Sequence, residues 1–283
     1  MTTVLDALHK GTEYLEKKGV DGARLSMQGL LAMILGCDRM QLYLDFDRPL
    51  DDSELDRLRE AMRERGKGKP LQHLLGEVEF FDHTFLCDER ALIPRPETEE
   101  LVAWLVDKEW PAGVRILDMG CGTGAMGLSL GIACREQHPE VVLADVSPLA
   151  LGLAKENSDH LSEALDGVEF RLVETDLFAR VEGTFHLIVA NLPYLSEADM
   201  GERSREVAED PELALRGGEK GTELMERFVR EVRPFLEPGG LIAMEFGAGQ
   251  DEVLCAFARE EGWTKVAVRK DLQGHERFLL LEP

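Results

Sequence analysis

From Val114 onward, short strand-like runs alternate with longer helical runs, and this alternation restricts the chain to a few folds. In chain order, the strand-like runs are VRILDM, EVVLADV, VEFRLVE, FHLIVAN and LIAMEF. Strands that are joined through helices pair in parallel, so we expect a mostly parallel sheet with helices on both faces. In such α/β sheets, ligands bind beyond the carboxyl ends of the strands. The sequence therefore predicts an α/β, Rossmann-like fold with its functional site at that edge.

The last two apolar runs of the chain are TKVAVRKD and ERFLLLEP. Only residues 272–275 separate them, which is too short for a helical crossover. We therefore expect a C-terminal antiparallel hairpin at the end of the sheet.

The residues before the α/β region have a different pattern. Apolar residues recur at helical spacing from Val4 to about Met62, which predicts a small helical N-terminal domain over residues 1–75. The runs EVEFF and TFLCD follow and predict a β-hairpin linker over residues 76–93. The larger α/β domain is then expected over residues 94–283.

The chain is strongly acidic. It has 32 Lys and Arg against 55 Asp and Glu, which gives a formal net charge of −23. Such a charge repels a phosphate backbone unless a local basic patch opposes it. Composition therefore argues against a stable nucleic-acid partner.

Several signals that would indicate another class of protein are not found in the sequence. No run approaches ~20 consecutive apolar residues, and the first residues are amphipathic and include acidic side chains. These features predict a cytoplasmic protein with no membrane partner. The five cysteines are scattered and form no C-x-x-C pair, so no metal site is expected.

A glycine-rich turn follows the first strand of the α/β region. In ILDMGCGTGAMGLSL, glycines recur where the backbone must pass close to a ligand. A nicotinamide-dinucleotide site and a purely structural turn are alternatives. The spacing G-x-G-x-G and the acidic residue before the turn instead match the first motif of Rossmann-like methyltransferases. The residues predicted to bind the cofactor here are Asp118, Gly120, Cys121, Gly122, Thr123 and Gly124.

Acidic residues also follow the next two strands. Asp145 ends the second strand, where a carboxylate can accept hydrogen bonds from both hydroxyls of a ribose. The alternative is that it caps the following helix. Asp176 follows the third strand with Leu177 beside it, a position suited to adenine binding, although a surface loop is an equal alternative.

The fourth strand leads into Asn191, Leu192, Pro193 and Tyr194, an N-x-P-Y motif. Methylation of an amide or an exocyclic amine requires a planar NH₂ group held without a charged base. The Asn191 side-chain carbonyl and the next backbone carbonyl can accept its two N–H bonds, and Tyr194 is expected to pack on its flat face. A turn that happens to contain Asn and Pro is the alternative.

Longer motifs extend this pattern over nearly the whole chain. They are LIPRPETEEL at residues 92–101, DxSPLAL from Asp145, EDPELALRGGEKG at 209–221, LEPGGLIAMEFG at 236–247 and RKDLQGHERF at 269–278. With the N-x-P-Y motif, they resemble the release-factor glutamine methyltransferase (HemK/PrmC) family.

The resemblance implies a class I methyltransferase domain and S-adenosylmethionine as cofactor. It implies methyl transfer to the glutamine side-chain nitrogen in the Gly-Gly-Gln motif of peptide-chain release factors, leaving S-adenosylhomocysteine. The N-terminal domain is then a substrate-recognition domain. Cofactor contacts carried over from the family fall on the turn from Gly120 to Gly124, on Asp145 and on Asn191.

Two residues depart from the family pattern. Leu177 stands where the family often has an aromatic residue, and Leu192 stands where it usually has proline. The resulting N-L-P-Y is common among ribosomal RNA adenine dimethyltransferases, which makes an RNA adenine methyltransferase the alternative function. The acidic charge favours the glutamine substrate, and residue 192 is expected to act through its backbone carbonyl. A cofactor-binding module without activity is a further alternative, against which the intact Asn191 argues.

Overall fold

The computed structural model describes all 283 residues, which form two compact units. The first unit contains Met1–Glu77 and the short segment Ser204–Glu209. The second contains Val78–Arg203 and Asp210–Pro283.

The first unit is helical, as its apolar periodicity predicts. Its helices are α1 (Val4–Lys17), α2 (Ala23–Leu35), α3 (Arg39–Leu44), α4 (Asp52–Lys67) and α5 (Leu71–Leu75). Helices α1 and α4 begin with capping boxes, in which the side chain of Thr3 or Asp51 accepts from the third helical backbone N–H. These caps satisfy backbone donors that the first helical turn leaves unpaired.

Close packing and one buried cation define the interior of this unit. A Cβ on Gly11 would lie 2.3 Å from the end of the Met27 side chain, so a larger residue there would require Met27 to move. The Arg65 guanidinium is buried, donates to Ser26 Oγ and pairs with Glu206 at 2.6 Å. Glu206 belongs to the short segment that joins this unit.

The second unit is built on a seven-stranded sheet, preceded by the hairpin β1 (Glu77–Phe80) and β2 (His83–Leu86). The sheet order is β5-β4-β3-β6-β7-β9-β8. Its strands are β3 (Arg115–Met119), β4 (Glu140–Asp145), β5 (Glu169–Glu174), β6 (Phe185–Asn191), β7 (Leu236–Glu245), β8 (Lys265–Lys270) and β9 (Glu276–Glu282). Strands β3 to β7 pair in parallel, whereas β9 is antiparallel to β7 and to β8. The predicted Rossmann-like sheet and its C-terminal antiparallel hairpin are confirmed.

Six helices accompany this sheet. They are α6 (Pro96–Val106), α7 (Ala125–Ala133), α8 (Pro148–His160), α9 (Glu197–Glu202), α10 (Glu223–Glu231) and α11 (Asp251–Glu260). Alternate strand residues enter two separate cores, as the two-residue period of a strand requires. Leu187 belongs to the core that includes α6, α7 and α8, and Ile188 belongs to the core that includes α10 and α11. No helix in the structure is long and apolar enough to cross a membrane.

Strand β3 lies between β4 and β6, so the chain turns to opposite sides of β3 as it builds the sheet. This topological switch point leaves a crevice at the carboxyl ends of the central strands. Buried Asn157 supports one wall of it: its Oδ1 accepts from Leu86 N at 2.6 Å, and its Nδ2 donates to Thr123 O at 3.0 Å. A single carboxamide therefore ties the β1–β2 hairpin and the glycine turn to helix α8.

Candidate active site

A cavity of about 300 Å³ lies at the switch point, at the carboxyl ends of β3, β4 and β6. Its lining includes most of the residues that the sequence predicts for cofactor and substrate. These are Asp118, Gly120, Cys121, Gly122, Thr123, Asp145, Asp176, Leu177, Asn191, Leu192 and Pro193. Two predicted residues, Gly124 and Tyr194, do not line it.

The glycine turn is fixed by backbone hydrogen bonds to the neighbouring strand. The N–H groups of Gly120 and Cys121 both donate to Ala144 O, at 2.8 and 3.0 Å. Gly120, Gly122 and Gly124 have φ of 72°, 55° and 79°, in the left-handed region that side chains disfavour. The turn can therefore bring bare backbone to the cavity only with glycine at these positions.

Leu192, in the motif after β6, gives a second reason for glycine at position 120. A Cβ at Gly120 would lie 2.9 Å from Leu192 Cδ2, and Leu192 is 3% exposed. The leucine side chain therefore fills the space over the glycine backbone. The side chain thus has a packing role, while the expected role of the residue 192 backbone carbonyl stays a prediction.

Asp145 links the end of β4 to the glycine turn. Its Oδ2 accepts from Gly122 N at 2.9 Å, and its Oδ1 accepts from Ser147 N at 2.8 Å. Burial raises the pKa of the Asp145 carboxyl, and the backbone donors lower it. Helix α8 is capped by Ser147, whose side chain accepts from Ala150 N, so Asp145 is not needed as the helix cap. Each carboxylate oxygen retains a further lone pair for a ligand in the cavity.

Asp118 is a fully buried carboxyl on β3. Its Oδ2 accepts from Gly127 N at 2.8 Å, while its Oδ1 has no hydrogen-bond partner. Burial, reinforced by nearby Asp145, raises the pKa of Asp118 to about 7. A buried acceptor without a partner is costly, so this oxygen is suited to a cationic or hydrogen-bonding ligand group.

The loop after β5 holds the two residues with the weakest sequence support. The Asp176 carboxylate pairs with Arg227 at 2.8 Å and is more than half exposed, although the residue also lines the cavity. Leu177 is buried with φ of 45°. The Thr175 hydroxyl holds this strained backbone by donating to Leu177 O at 2.9 Å and accepting from Arg180 N. Sequence reasoning did not identify Thr175.

Asn191 ends β6 and faces a residue from the start of α6. Its Nδ2 donates to Thr98 Oγ1 at 3.1 Å, and Thr98 Oγ1 donates to Glu245 Oε2 at 2.6 Å. Thr98 lies within the RPETEE run, which sequence analysis used as a family motif without giving this residue a role. Neither Thr98 nor Glu245 was predicted as a site residue.

Gly124 and Tyr194, the two predicted residues that do not line the cavity, pack against other parts of the protein. Gly124 precedes α7, and a Cβ there would lie 3.2 Å from both Ala154 and Leu128. The Tyr194 ring lies against Gly247, and its backbone carbonyl accepts from Gln250 Nε2 at 2.9 Å. Burial raises the pKa of Tyr194 to about 12. The packing of this ring on the substrate amide stays a prediction, and in the structure the ring contacts Gly247.

Two of the longer motifs meet at one wall of the cavity. Arg95 pairs with buried Asp210 at 2.6 Å, and the other Asp210 oxygen accepts from Ile93 N at 3.3 Å. The segment after Asp210 contributes Pro211, Leu213, Ala214 and Arg216 to the lining. Their distance in sequence from the other lining residues explains why only the longer motifs indicated them.

Comparisons with known proteins agree in both halves of the chain. A family model described as the PrmC N-terminal domain matches residues 6–76, and one described as the methyltransferase small domain matches residues 97–210. A protein of Deinococcus radiodurans named release factor glutamine methyltransferase is 38% identical, with 97% of this chain and 96% of that protein covered. A protein of the same name from Leptospira interrogans is 34% identical, with 99% and 98% covered.

Solved structures resemble the fold at lower identity. The crystal structure of the hMettl16 catalytic domain in complex with MAT2A 3′UTR hairpin 6 gives a TM-score of 0.54 at 15% identity. The match covers 82% of this chain and 81% of that one. At this identity, the likeness supports the sheet architecture alone.

The buried Asp118 carboxyl makes the stability of the ligand-free protein depend on pH. Because its pKa is raised to about 7, the folded state keeps a proton that the unfolded state releases near pH 4. The contribution of Asp118 to the free energy of unfolding is fully present below about pH 4 and is lost as pH rises to about 7. Asp118→Asn cannot titrate at this position. We therefore expect its free energy of unfolding, measured with denaturant, to fall less between pH 4 and pH 7 than that of the wild type, by on the order of a few kcal/mol.

Exposed Asp107→Asn is the matched control and should keep the wild-type pH dependence. An Asp118→Asn protein whose free energy of unfolding falls with pH as steeply as the wild type would refute the assignment of a buried, protonated Asp118.

Proposed function

The chain belongs to the release factor glutamine methyltransferase family, and on this premise we propose its reaction. It transfers a methyl group from S-adenosylmethionine to the side-chain amide nitrogen of the glutamine in the Gly-Gly-Gln motif of peptide-chain release factors. S-adenosylhomocysteine is the second product. The proposal goes beyond the family name in its cofactor, its target motif and the roles of individual residues.

One observation carries the proposal: the glycine turn with Asp145 and the Asn191–Pro193 segment line the same cavity. Leu192 packs directly on Gly120, so no other element separates the two motifs. A methyl transferase needs its donor and acceptor groups adjoining, because in-line transfer requires the reacting atoms to be about 3–3.5 Å apart. The cavity thus has a cofactor side and an acceptor side in direct contact.

The residues on the cofactor side fit S-adenosylmethionine. Asp118 Oδ1 is a buried acceptor without a partner, suited to the cofactor's ammonium group. Asp145 keeps acceptor capacity for ribose hydroxyls, and the Gly122 backbone leaves room for the ligand. Buried Leu177 offers apolar surface for the adenine. The cofactor, when bound, supplies an electrophilic methyl group on a sulfonium sulfur.

On the acceptor side, Asn191 and Leu192 orient the substrate amide. Asn191 Oδ1 and the Leu192 backbone carbonyl accept the two N–H bonds of the glutamine carboxamide, which turns its nitrogen toward the methyl group. Positive charge develops on that nitrogen during transfer, and both carbonyl dipoles stabilise it. Neither oxygen competes for the proton as a strong base would. After methyl transfer, the nitrogen releases one proton to water.

The helical region over residues 1–75 is proposed as the substrate-recognition domain. It matches the family model of the PrmC N-terminal domain. Its helices α2 and α3 expose Met33, Met40, Tyr43 and Leu44, apolar side chains that a bound protein can cover. The net charge of −23 favours a protein over RNA as the partner of this enzyme.

The cofactor assignment predicts that Asp145→Asn weakens S-adenosylmethionine binding. Loss of charge-assisted hydrogen bonds to the ribose should cost ~1–3 kcal/mol, roughly a 5- to 150-fold rise in Kd. Isothermal titration calorimetry measures this change, and thermal unfolding verifies the fold. Exposed Asp166→Asn serves as the control. An unaltered Kd in folded Asp145→Asn would eliminate the ribose role.

The substrate assignment is tested with labelled cofactor, purified release factor and ribosomal RNA. We expect label on the glutamine of the Gly-Gly-Gln motif, mapped by mass spectrometry, and none on RNA. At saturating cofactor, Asn191→Ala should lower kcat by ~10²–10³, as for loss of one preorganised transition-state hydrogen bond. Gln273→Ala removes an exposed carboxamide and should retain wild-type kcat. Methylation of RNA adenines without methylation of release factor would establish the alternative function instead.

A further inference from the structure

We propose that Thr98 and Glu245 are positioning residues that determine which end of the Asn191 carboxamide faces the cavity. This inference rests on the proposed function, because it concerns the group that receives the substrate amide. Neither residue needs to touch the substrate. They act through a chain of two hydrogen bonds, from Asn191 to Thr98 and from Thr98 to Glu245, called here the Asn191–Thr98–Glu245 chain.

The sheet brings the three residues together from distant parts of the sequence. Asn191 and Glu245 are the last residues of neighbouring parallel strands and are register partners. Thr98 comes from the first turn of α6, and its hydroxyl bonds to Glu245 and Asn191. Thr98 is 6% exposed and Glu245 is 1% exposed. Little water reaches Thr98 and Glu245, so their protein partners decide the directions of their hydrogen bonds.

The donors and acceptors in the Asn191–Thr98–Glu245 chain fix the direction of both hydrogen bonds. An ionised Glu245 carboxylate only accepts, so the single hydroxyl proton of Thr98 points to it, at an oxygen–oxygen distance of 2.6 Å. The Thr98 oxygen can then only accept from Asn191, which must present its NH₂ group. The Asn191 carbonyl oxygen is thereby left for the cavity. That oxygen is the group needed to accept an N–H from a glutamine amide.

Protonation of Glu245 removes this constraint. A neutral carboxyl can donate to Thr98, whose hydroxyl can then donate to Asn191 Oδ1, and the carboxamide turns its NH₂ group to the cavity. Two N–H groups would then face each other, and the substrate amide would lose its acceptor. The neutral carboxyl therefore allows both directions, whereas the ionised carboxylate allows only the proposed orientation of Asn191.

The surroundings of Glu245 place its titration in an accessible range. Burial raises the pKa of Glu245 to about 7, and the Thr98 hydrogen bond opposes that rise. Charged and titratable groups face it from each packed element: Arg277 from β9, Arg95 and Glu97 from the start of α6, and Tyr194 after β6. The two arginines lower its pKa, and Glu97 raises it. The carboxylate form therefore increases as pH rises through about 7.

A buried carboxylate is costly for stability, and apolar replacements often stabilise such sites. The Asn191–Thr98–Glu245 chain satisfies only one Glu245 oxygen through Thr98, so packing alone gives no reason for an acid here. Orientation of Asn191 does give such a reason.

The kinetic test compares Thr98→Val, Thr98→Ser and Glu245→Gln with wild type, on release factor at saturating cofactor, from pH 6 to 9. Wild-type kcat should rise through about pH 7 and then level off. Thr98→Val should lower kcat about tenfold with KM nearly constant, because one hydrogen bond of the chain is lost. Thr98→Ser should restore kcat. Glu245→Gln should lower kcat and abolish the rise with pH.

A second readout needs neither cofactor nor substrate. In ¹⁵N-labelled protein, the side-chain NH₂ resonances of Asn191, assigned with Asn191→Ala, should shift through about pH 7 in wild type and remain constant in Glu245→Gln. A pH-independent Asn191 resonance in wild type would overturn the proposal. So would a Glu245→Gln enzyme that retains the wild-type pH profile. If wild type does not methylate release factor, the proposed function fails, and the NMR titration still decides the positioning role.

Discussion

At Gly120, in the turn after β3, there is no space for a side chain. The arrangement of the candidate active site depends on this constraint. Gly120 is constrained by Ala144 O, which accepts its N–H, and by Leu192, whose side chain covers the position of a Cβ. Its φ of 72° is a further cost for any other residue. Gly120, which follows β3, therefore contacts both β4 and the segment after β6. Because the parallel sheet ends these strands at one edge, the proposed cofactor side and acceptor side of the cavity adjoin.

The same edge carries three buried or half-buried carboxyl groups, each with a different set of partners. Asp145 receives two backbone N–H bonds, Asp118 receives one, and Glu245 receives the Thr98 hydroxyl. Burial raises the pKa of each, most for the two that are almost completely enclosed. Strained or costly groups of this kind concentrate at functional sites, where ligand binding or orientation offsets the cost. In the proposed function, this acidic edge combines cofactor recognition with control of a neutral acceptor, Asn191.

Much of this site could be predicted from sequence because its requirements are local. The glycines of the turn need a backbone conformation that is visible as a spacing, and Asp145 and Asn191 occupy the ends of readable strands. Thr98 and Glu245 are 147 residues apart, and only the pairing of β6 with β7 beside α6 makes them neighbours. No short sequence motif indicates that Thr98 and Glu245 are neighbours in space.

The sequence did not indicate the packing of Tyr194 and Leu192, because their packing partners are distant in sequence. The direction of the Tyr194 ring depends on Gly247, which leaves space for it, and on Gln250, which fixes the Tyr194 carbonyl. Leu192 was expected to contribute only a carbonyl because its packing partner, Gly120, is distant in sequence. The helical and α/β regions were predictable from apolar periodicity, whereas side-chain directions at the ends of strands depend on tertiary neighbours.

In the proposed reaction, Asn191 presents its carbonyl oxygen to the substrate amide. A crystal structure of the protein with S-adenosylhomocysteine and a Gly-Gly-Gln peptide measures this contact. We expect the glutamine side-chain nitrogen within about 3.2 Å of Asn191 Oδ1, with Asn191 Nδ2 still bonded to Thr98. A peptide glutamine bound away from Asn191, or one facing the Asn191 NH₂ group, would contradict it.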